Sequence, residues 1–109
     1  DRTLLFKWIR SESLWERRAA LIATFEFLRH GDASSSLQLA AMVLNDKHDL
    51  IHKATGWMLR EVGMRVSEEV LHEFLVNHAA IMPRTMLRYA IEHLEPQQRQ
   101  HYMQLKSRR

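Results

Sequence analysis

The chain has 109 residues and a mass of 13.0 kDa, the size of one domain or part of one, which excludes a multidomain enzyme. It contains no cysteine, which excludes a disulfide framework, a thiolate nucleophile and cysteine-bound zinc, and no apolar run approaches the ~18 residues of a membrane span. The 16 basic and 13 acidic side chains leave a net charge of +3, a modest bias compatible with a polyanion partner or with an ordinary solvated surface.

Helix signals extend along the whole chain. With 3 glycines, 2 prolines and no sustained apolar/polar alternation, we expect an all-α fold without a sheet. Ser13 and Glu16 form a capping-box pattern, and Gly31 supplies a left-handed stop. Further starts are predicted at Asp32, Asp46, Ser67, Pro83 and Pro96. The predicted helices are 2–10, 13–30, 33–44, 47–64, 67–78, 83–94 and 96–106, about seven antiparallel helices.

A faint internal repeat places one basic residue in the first turn of alternate helices. Arg17 aligns with Lys53 at an offset of 36 residues, and Lys53 aligns with Arg84 at an offset of 31. These offsets lie near the periods of helical repeats. They indicate an α-solenoid whose alternate helices line one wall, where basic side chains and helix starts would bind phosphates. Residues 83–109 carry 6 basic and 2 acidic side chains, so the C-terminal segment is the most basic.

Arg18 occupies a position where an apolar side chain is expected. It shares the stripe of Leu14, Leu21 and Leu28, which should face the core. An unpaired buried guanidinium costs several kcal/mol, so Arg18 needs an acidic partner, a bound anion or a path to solvent. The sequence leaves these alternatives open.

Trp57 lies among charges. Ile51, Ala54, Met58 and Val62 make the apolar stripe of its helix, whereas Lys53, Trp57, Arg60 and Glu61 are predicted on another face. An indole between basic residues can stack on a base, or it can simply pack against the next helix. Trp8 and Trp15 are interpreted as structural helix-packing residues.

No metal or cofactor site is predicted. His48 and His52 have the i, i+4 spacing of a zinc-protease helix, but Asp49 replaces the glutamate base and no third ligand follows. Asp32, Asp46 and Asp49 are interpreted as helix-cap residues.

Three stretches carry a family resemblance: DRTLLFKWIRSESLWERRAALIATFEFLRHGD, NDKHDLIHKATGWMLREVGMR and MPRTMLRYAIEHL. Together they closely resemble the C-terminal half of AlkD-like DNA alkylation repair glycosylases, over nearly the whole chain. The resemblance implies a HEAT-like helical-repeat α-solenoid that holds duplex DNA on a concave basic face. It implies excision of cationic N3- or N7-alkylated purines in base excision repair, without a cofactor.

The same resemblance implies the site residues. Arg18 and Trp57 correspond to lesion-site residues. Phosphate contacts are expected from Arg17, Lys53, Arg60, Arg84 and Arg88. The catalytic aspartate of the family lies upstream of the position that matches Asp1. The given sequence begins at Asp1 and not at a methionine, as expected for an internal fragment or a processed product. We therefore expect residues 1–109 to be the C-terminal part of one repeat domain, lacking its N-terminal half and inactive alone.

Two other functions remain open: a non-catalytic DNA-binding module of the same fold, and a protein-interaction scaffold. For the intact protein we expect a monomer that binds duplex DNA, neither metal nor membrane, in a bacterial-type cytoplasm associated with the nucleoid.

Overall fold

The structure is a computed structural model that describes residues 2–105. Within that range every regular element is an α-helix, which confirms the all-α prediction, and none is long and apolar enough to cross a membrane. The eight helices of this range are α1 (Arg2–Trp8), α2 (Leu14–Ala23), α3 (Phe25–Arg29), α4 (Ser34–Met42), α5 (Asp49–Arg65), α6 (Glu68–His78), α7 (Arg84–Ala90) and α8 (Pro96–Gln104).

The central element is α5, which packs against α2, α3 and α4 as well as against α6 and α7. The molecule measures 38 × 32 × 18 Å. Because packed helices lie ~8–10 Å apart, the 18 Å dimension fits two helix layers. This arrangement is consistent with a helical-repeat fold, while the solenoid remains a prediction. The helices that carry Arg17, Lys53 and Arg84 are α2, α5 and α7, and α5 contacts both of the others.

The apolar stripe predicted on α5 forms the core. Ile51, Met58 and Val62 are completely buried, and each contributes ~1.5–3 kcal/mol of burial free energy. Glu61, predicted on the charged face, is instead buried, and its carboxylate accepts a 2.7 Å hydrogen bond from Arg65 Nε. Because Arg65 lies one turn away on the same helix, the Glu61 carboxylate keeps a charged partner when it is buried.

Gly56 permits α5 and α7 to approach closely. A Cβ atom at position 56 would lie 2.5 Å from the Met86 carbonyl oxygen and 2.6 Å from Tyr89 Cβ, well inside contact distance. Only a residue without a side chain fits at this crossing. Tyr89 of α7 is thereby held close against α5.

Several predicted helix ends are confirmed. Ser13 Oγ accepts the Glu16 amide at 3.3 Å, Ser67 Oγ accepts the Val70 amide at 3.3 Å, and Gly31 has φ of 81°. The capping box at Ser13 is incomplete, because the Glu16 carboxylate accepts the Ser11 hydroxyl instead of the Ser13 amide.

The predicted helix over 13–30 is interrupted at Thr24, which accounts for eight helices rather than about seven. Thr24 is fully buried, and its hydroxyl donates to the Leu21 carbonyl at 2.6 Å while accepting from Ser36 Oγ at 2.7 Å. A threonine hydroxyl that donates to a main-chain carbonyl competes with the backbone amide that would bind this carbonyl in a continuous helix, so the helix is interrupted here.

Other boundaries differ by a few residues. α5 begins later than predicted because Asp46 binds the His48 amide at 3.0 Å and forms a turn. Pro83 is the N-cap of α7 and not its first residue, whereas Pro96 is the first residue of α8. α7 ends at Ala90, well before the predicted residue 94. The predicted end at residue 106, and the basic Lys106, Arg108 and Arg109, lie outside the described residues.

Candidate nucleic-acid interface

An open pocket of about 440 Å³ is formed where α5 meets α2 and α7. This volume is in the range of small-ligand sites, ~300–1,000 Å³. Among the described residues the lining is mostly apolar, with two cations, the indole of Trp57 and the phenol of Tyr89. Its residues are Arg18 and Ile22 from α2, Leu50, Lys53, Ala54 and Trp57 from α5, and Tyr89 from α7. We call this the α2–α5–α7 pocket.

Arg18 reaches this pocket from the core-facing side of α2. Its neighbours on the predicted stripe, Leu21 and Leu28, are buried, whereas Arg18 is only half-buried. Its guanidinium forms no ion pair or hydrogen bond with any residue in the range 2–105. The sequence left an acidic partner, a bound anion or a path to solvent open for Arg18. No described residue is its acidic partner, and the side chain lines the open pocket.

Trp57 both packs and lines the pocket. Its ring centroid lies 5.4 Å from that of Phe25, with an angle of 32° between the ring planes. The side chain is half-buried, so part of the indole is covered by Phe25 and part remains accessible from the pocket. The packing contact holds the indole in place at the wall of the pocket.

Lys53 stands one turn before Trp57. Its ammonium group lies 3.2 Å from an Asp49 carboxylate oxygen, and both side chains are exposed. A solvent-exposed i, i+4 pair is worth ~0–1 kcal/mol, so Lys53 can exchange this carboxylate for a phosphate at little cost.

Arg17 is directed elsewhere. Its guanidinium binds Asp46 at 2.8 and 3.4 Å and donates to the carbonyls of Ser11 and Glu12, both at 3.1 Å. The side chains of Arg17 and Asp46 are only 12% and 8% exposed. This pair ties the start of α2 to the loop before α5, and Arg17 does not line the pocket.

Arg60 and Arg84 are also engaged within the protein. Arg60 pairs with Glu92, and its side chain is 18% exposed. Arg84 donates to the Met103 and Ala79 carbonyls, each at 3.1 Å. Arg88 is exposed and lies on a separate shallow surface with Arg99 and Met103. The structure thus brings Lys53 together with the predicted lesion-site residues and leaves Arg17, Arg60, Arg84 and Arg88 outside the pocket.

Two aromatic residues differ from the sequence interpretation. Trp15, interpreted as a packing residue, is 65% exposed, because it lies on the solvent side of the first turn of α2. Trp8 does pack against the core, as interpreted. Tyr89 also lines the pocket, although the sequence predicted no role for it. The signal that could have identified it is an aromatic residue directly after Arg88 in a helix predicted to be basic.

None of the three aspartates interpreted as caps is an N-cap residue: Asp32 and Asp46 lie in the turns before α4 and α5, and Asp49 is the first residue of α5. Hydrogen bonds from the Ser34 hydroxyl and amide, with Arg2, lower the pKa of Asp32 to about 2. Burial by itself would raise the pKa of Asp46, but hydrogen bonds from Arg17 and the His48 amide outweigh it and hold that pKa below the usual range. None of the described residues lining the pocket is acidic. Within residues 2–105, no three His, Asp or Glu side chains are grouped so as to hold a metal ion.

Comparison with known proteins gives one family. The model of the DNA alkylation repair enzyme family matches residues 1–94. No curated protein and no solved structure gives a significant match to the chain. The family match spans all of α1 to α7 and therefore every residue of the α2–α5–α7 pocket. This chain belongs to the DNA alkylation repair enzyme family.

Proposed function

We propose that the chain is the lesion-binding part of a DNA glycosylase that excises cationic N3- or N7-alkylated purines from duplex DNA. The observation that carries the proposal is the α2–α5–α7 pocket, in which an accessible indole and two available cations share one open, mostly apolar cleft. Membership of an alkylation repair family supports the choice of substrate.

The reaction suits such a pocket. Alkylation at N3 or N7 leaves a positive charge on the purine, so the base departs as a neutral molecule when the C1′–N9 bond breaks. Water adds to C1′ and releases one proton. The electron-rich face of Trp57 would stabilise the cationic base, an interaction worth about 1–2 kcal/mol when partly desolvated.

Arg18 and Lys53 would serve the phosphates. Both are cations, so they repel an alkylated base but attract the DNA backbone on either side of it. Arg18 has no acidic partner within residues 2–105, and Lys53 has only an exposed one. An apolar pocket lined by these two cations can therefore bind the phosphates of the strand while the base contacts the indole.

The carboxylate that stabilises the oxocarbenium-like sugar is assigned to a segment outside this chain. The described lining of the pocket is not acidic, and the resemblance places the catalytic aspartate upstream of Asp1. In this proposal Arg18 and Lys53 bind phosphates, Trp57 stabilises the cationic base, and the carboxylate outside this chain activates the water molecule.

The test is single-turnover base release from duplex DNA containing N7-methylguanine. It is run with the 109-residue chain and with a longer protein that carries this chain behind the family's upstream segment. We expect release by the longer protein only. Trp57→Ala should slow it about 5- to 30-fold, the equivalent of about 1–2 kcal/mol.

Trp15→Ala is the matched control, because Trp15 is exposed and does not line the pocket. It should leave the rate unchanged. DNA binding without release by the longer protein would indicate a non-catalytic binding module. Absence of salt-dependent DNA binding would indicate a protein scaffold and would refute the proposal.

A further inference from the structure

Tyr89 is the α7 side chain in the lining of the α2–α5–α7 pocket. It is 37% exposed, and the close α5–α7 crossing at Gly56 fixes its Cβ atom against α5. The lining helices therefore present Arg18 from α2 on one side of α5 and Tyr89 from α7 on the other, with Lys53 and Trp57 between them.

The hydroxyl group of Tyr89 is available. It forms no hydrogen bond with another residue of the described range 2–105. The other tyrosine, Tyr102, is buried, and its hydroxyl lies 2.6 Å from His72 Nδ1. One tyrosine hydroxyl thus has a partner inside the protein, whereas the other belongs to a residue that lines a pocket whose charged side chains, among the described residues, are both cations.

A neutral donor has an advantage beside a cationic base. Two unit charges of like sign 4 Å apart repel by ~1 kcal/mol in water and by more at a lower effective dielectric constant. A lysine or arginine that holds the phosphate nearest the lesion therefore also destabilises the bound cationic base. A phenol hydroxyl donates to a phosphate oxygen without that repulsion.

We propose that Tyr89 is a DNA-binding residue whose hydroxyl donates a hydrogen bond to a backbone phosphate and positions the strand across the pocket. The inference rests on the proposed function, because it requires a DNA strand over the pocket. Tyr89 supplies orientation, and Trp57 supplies recognition of the base.

The experiment measures binding of the 109-residue chain to duplex DNA at several salt concentrations. Tyr89→Phe keeps the ring and removes the hydroxyl, so binding should weaken about 3- to 10-fold. The slope of log K against log salt should not change, because a neutral donor releases no counterion. Lys53→Gln should instead reduce the magnitude of that slope by ~0.9.

Tyr102→Phe is the matched control, because it removes the other hydroxyl of the same kind outside the pocket. It should leave DNA affinity unchanged and lower the melting temperature, whereas Tyr89→Phe should leave the melting temperature unchanged. Tyr89→Phe binding within two-fold of the unmodified chain, or a changed salt slope, would overturn this inference alone. An unmodified chain that shows no salt-dependent DNA binding would overturn the proposed function itself.

Discussion

Replacing Gly56 with alanine should destabilise the protein by an amount that the structure allows us to estimate. The added methyl group would lie 2.5 Å from the Met86 carbonyl oxygen and 2.6 Å from Tyr89 Cβ. Neither atom is the end of a flexible side chain, so α5 and α7 must move apart. Overpacking of this kind costs ~1–3 kcal/mol, and alanine returns ~1 kcal/mol through its helix propensity.

The expected net loss is therefore ~0–2 kcal/mol, and its upper limit is equivalent to roughly 8–16 °C in melting temperature for a domain of this size. Thermal and urea unfolding followed by circular dichroism measure it. The matched control is Gly63→Ala, whose methyl group would lie 2.8 Å from Leu71 Cδ2, the movable end of a side chain. This second variant should lose less stability than the first.

The same substitution should disturb the α2–α5–α7 pocket. Because Trp57 follows Gly56 and Tyr89 faces it, separating α5 from α7 shifts both aromatic walls. DNA affinity should fall in Gly56→Ala and remain unchanged in Gly63→Ala. Equal or greater stability of Gly56→Ala relative to Gly63→Ala would refute the packing argument.

Three further outcomes are expected. Arg18→Leu should weaken DNA binding yet keep or raise the melting temperature, because it removes a cation that has no partner in residues 2–105; a large loss of stability would show that the arginine is structural. Arg84→Ala should lower the unfolding free energy by ~1–3 kcal/mol, because the Met103 and Ala79 carbonyls lose their hydrogen-bond donor, whereas Arg88→Ala should lower it by less than ~0.5 kcal/mol. Equal losses in the two variants would contradict a structural role for Arg84. The pKa of Asp46 is lower in the folded protein than in the unfolded chain, so its ionised carboxylate stabilises the fold fully above pH ~4, and this stabilisation is lost as the pH falls through the pKa of the folded state. Asp46→Asn should therefore make the unfolding free energy depend less on pH in the acid range, and an unchanged pH dependence would contradict this linkage.

The sequence determined most of the helices and identified part of the candidate site. Local signals are enough for this, because a cap such as Ser13 or Ser67 and a stripe such as that of α5 act within a few residues. Its choice of Arg18 and Trp57 named two residues that the structure places in one pocket. That choice came from the odd position of a cation on an apolar stripe, from an indole among charges and from the family resemblance.

Only the tertiary structure decided which cations are available. Arg17, Lys53 and Arg84 occupy similar positions in the sequence repeat, yet their partners differ. Arg17 meets Asp46, 29 residues away, and Arg84 meets the Met103 carbonyl, 19 residues away. Within residues 2–105 Lys53 pairs only with an exposed aspartate one turn before it, so it remains accessible to a ligand.

The physical reason is the range over which each effect acts. Helix formation depends on neighbours three or four residues apart, which a sequence displays directly. Ion pairing and exposure depend on which helices pack together, as the burial of Glu61 and the exposure of Trp15 show. Tyr89 joins the pocket because Gly56 lets α7 lie close against α5, a contact between residues 33 positions apart that local patterns do not encode.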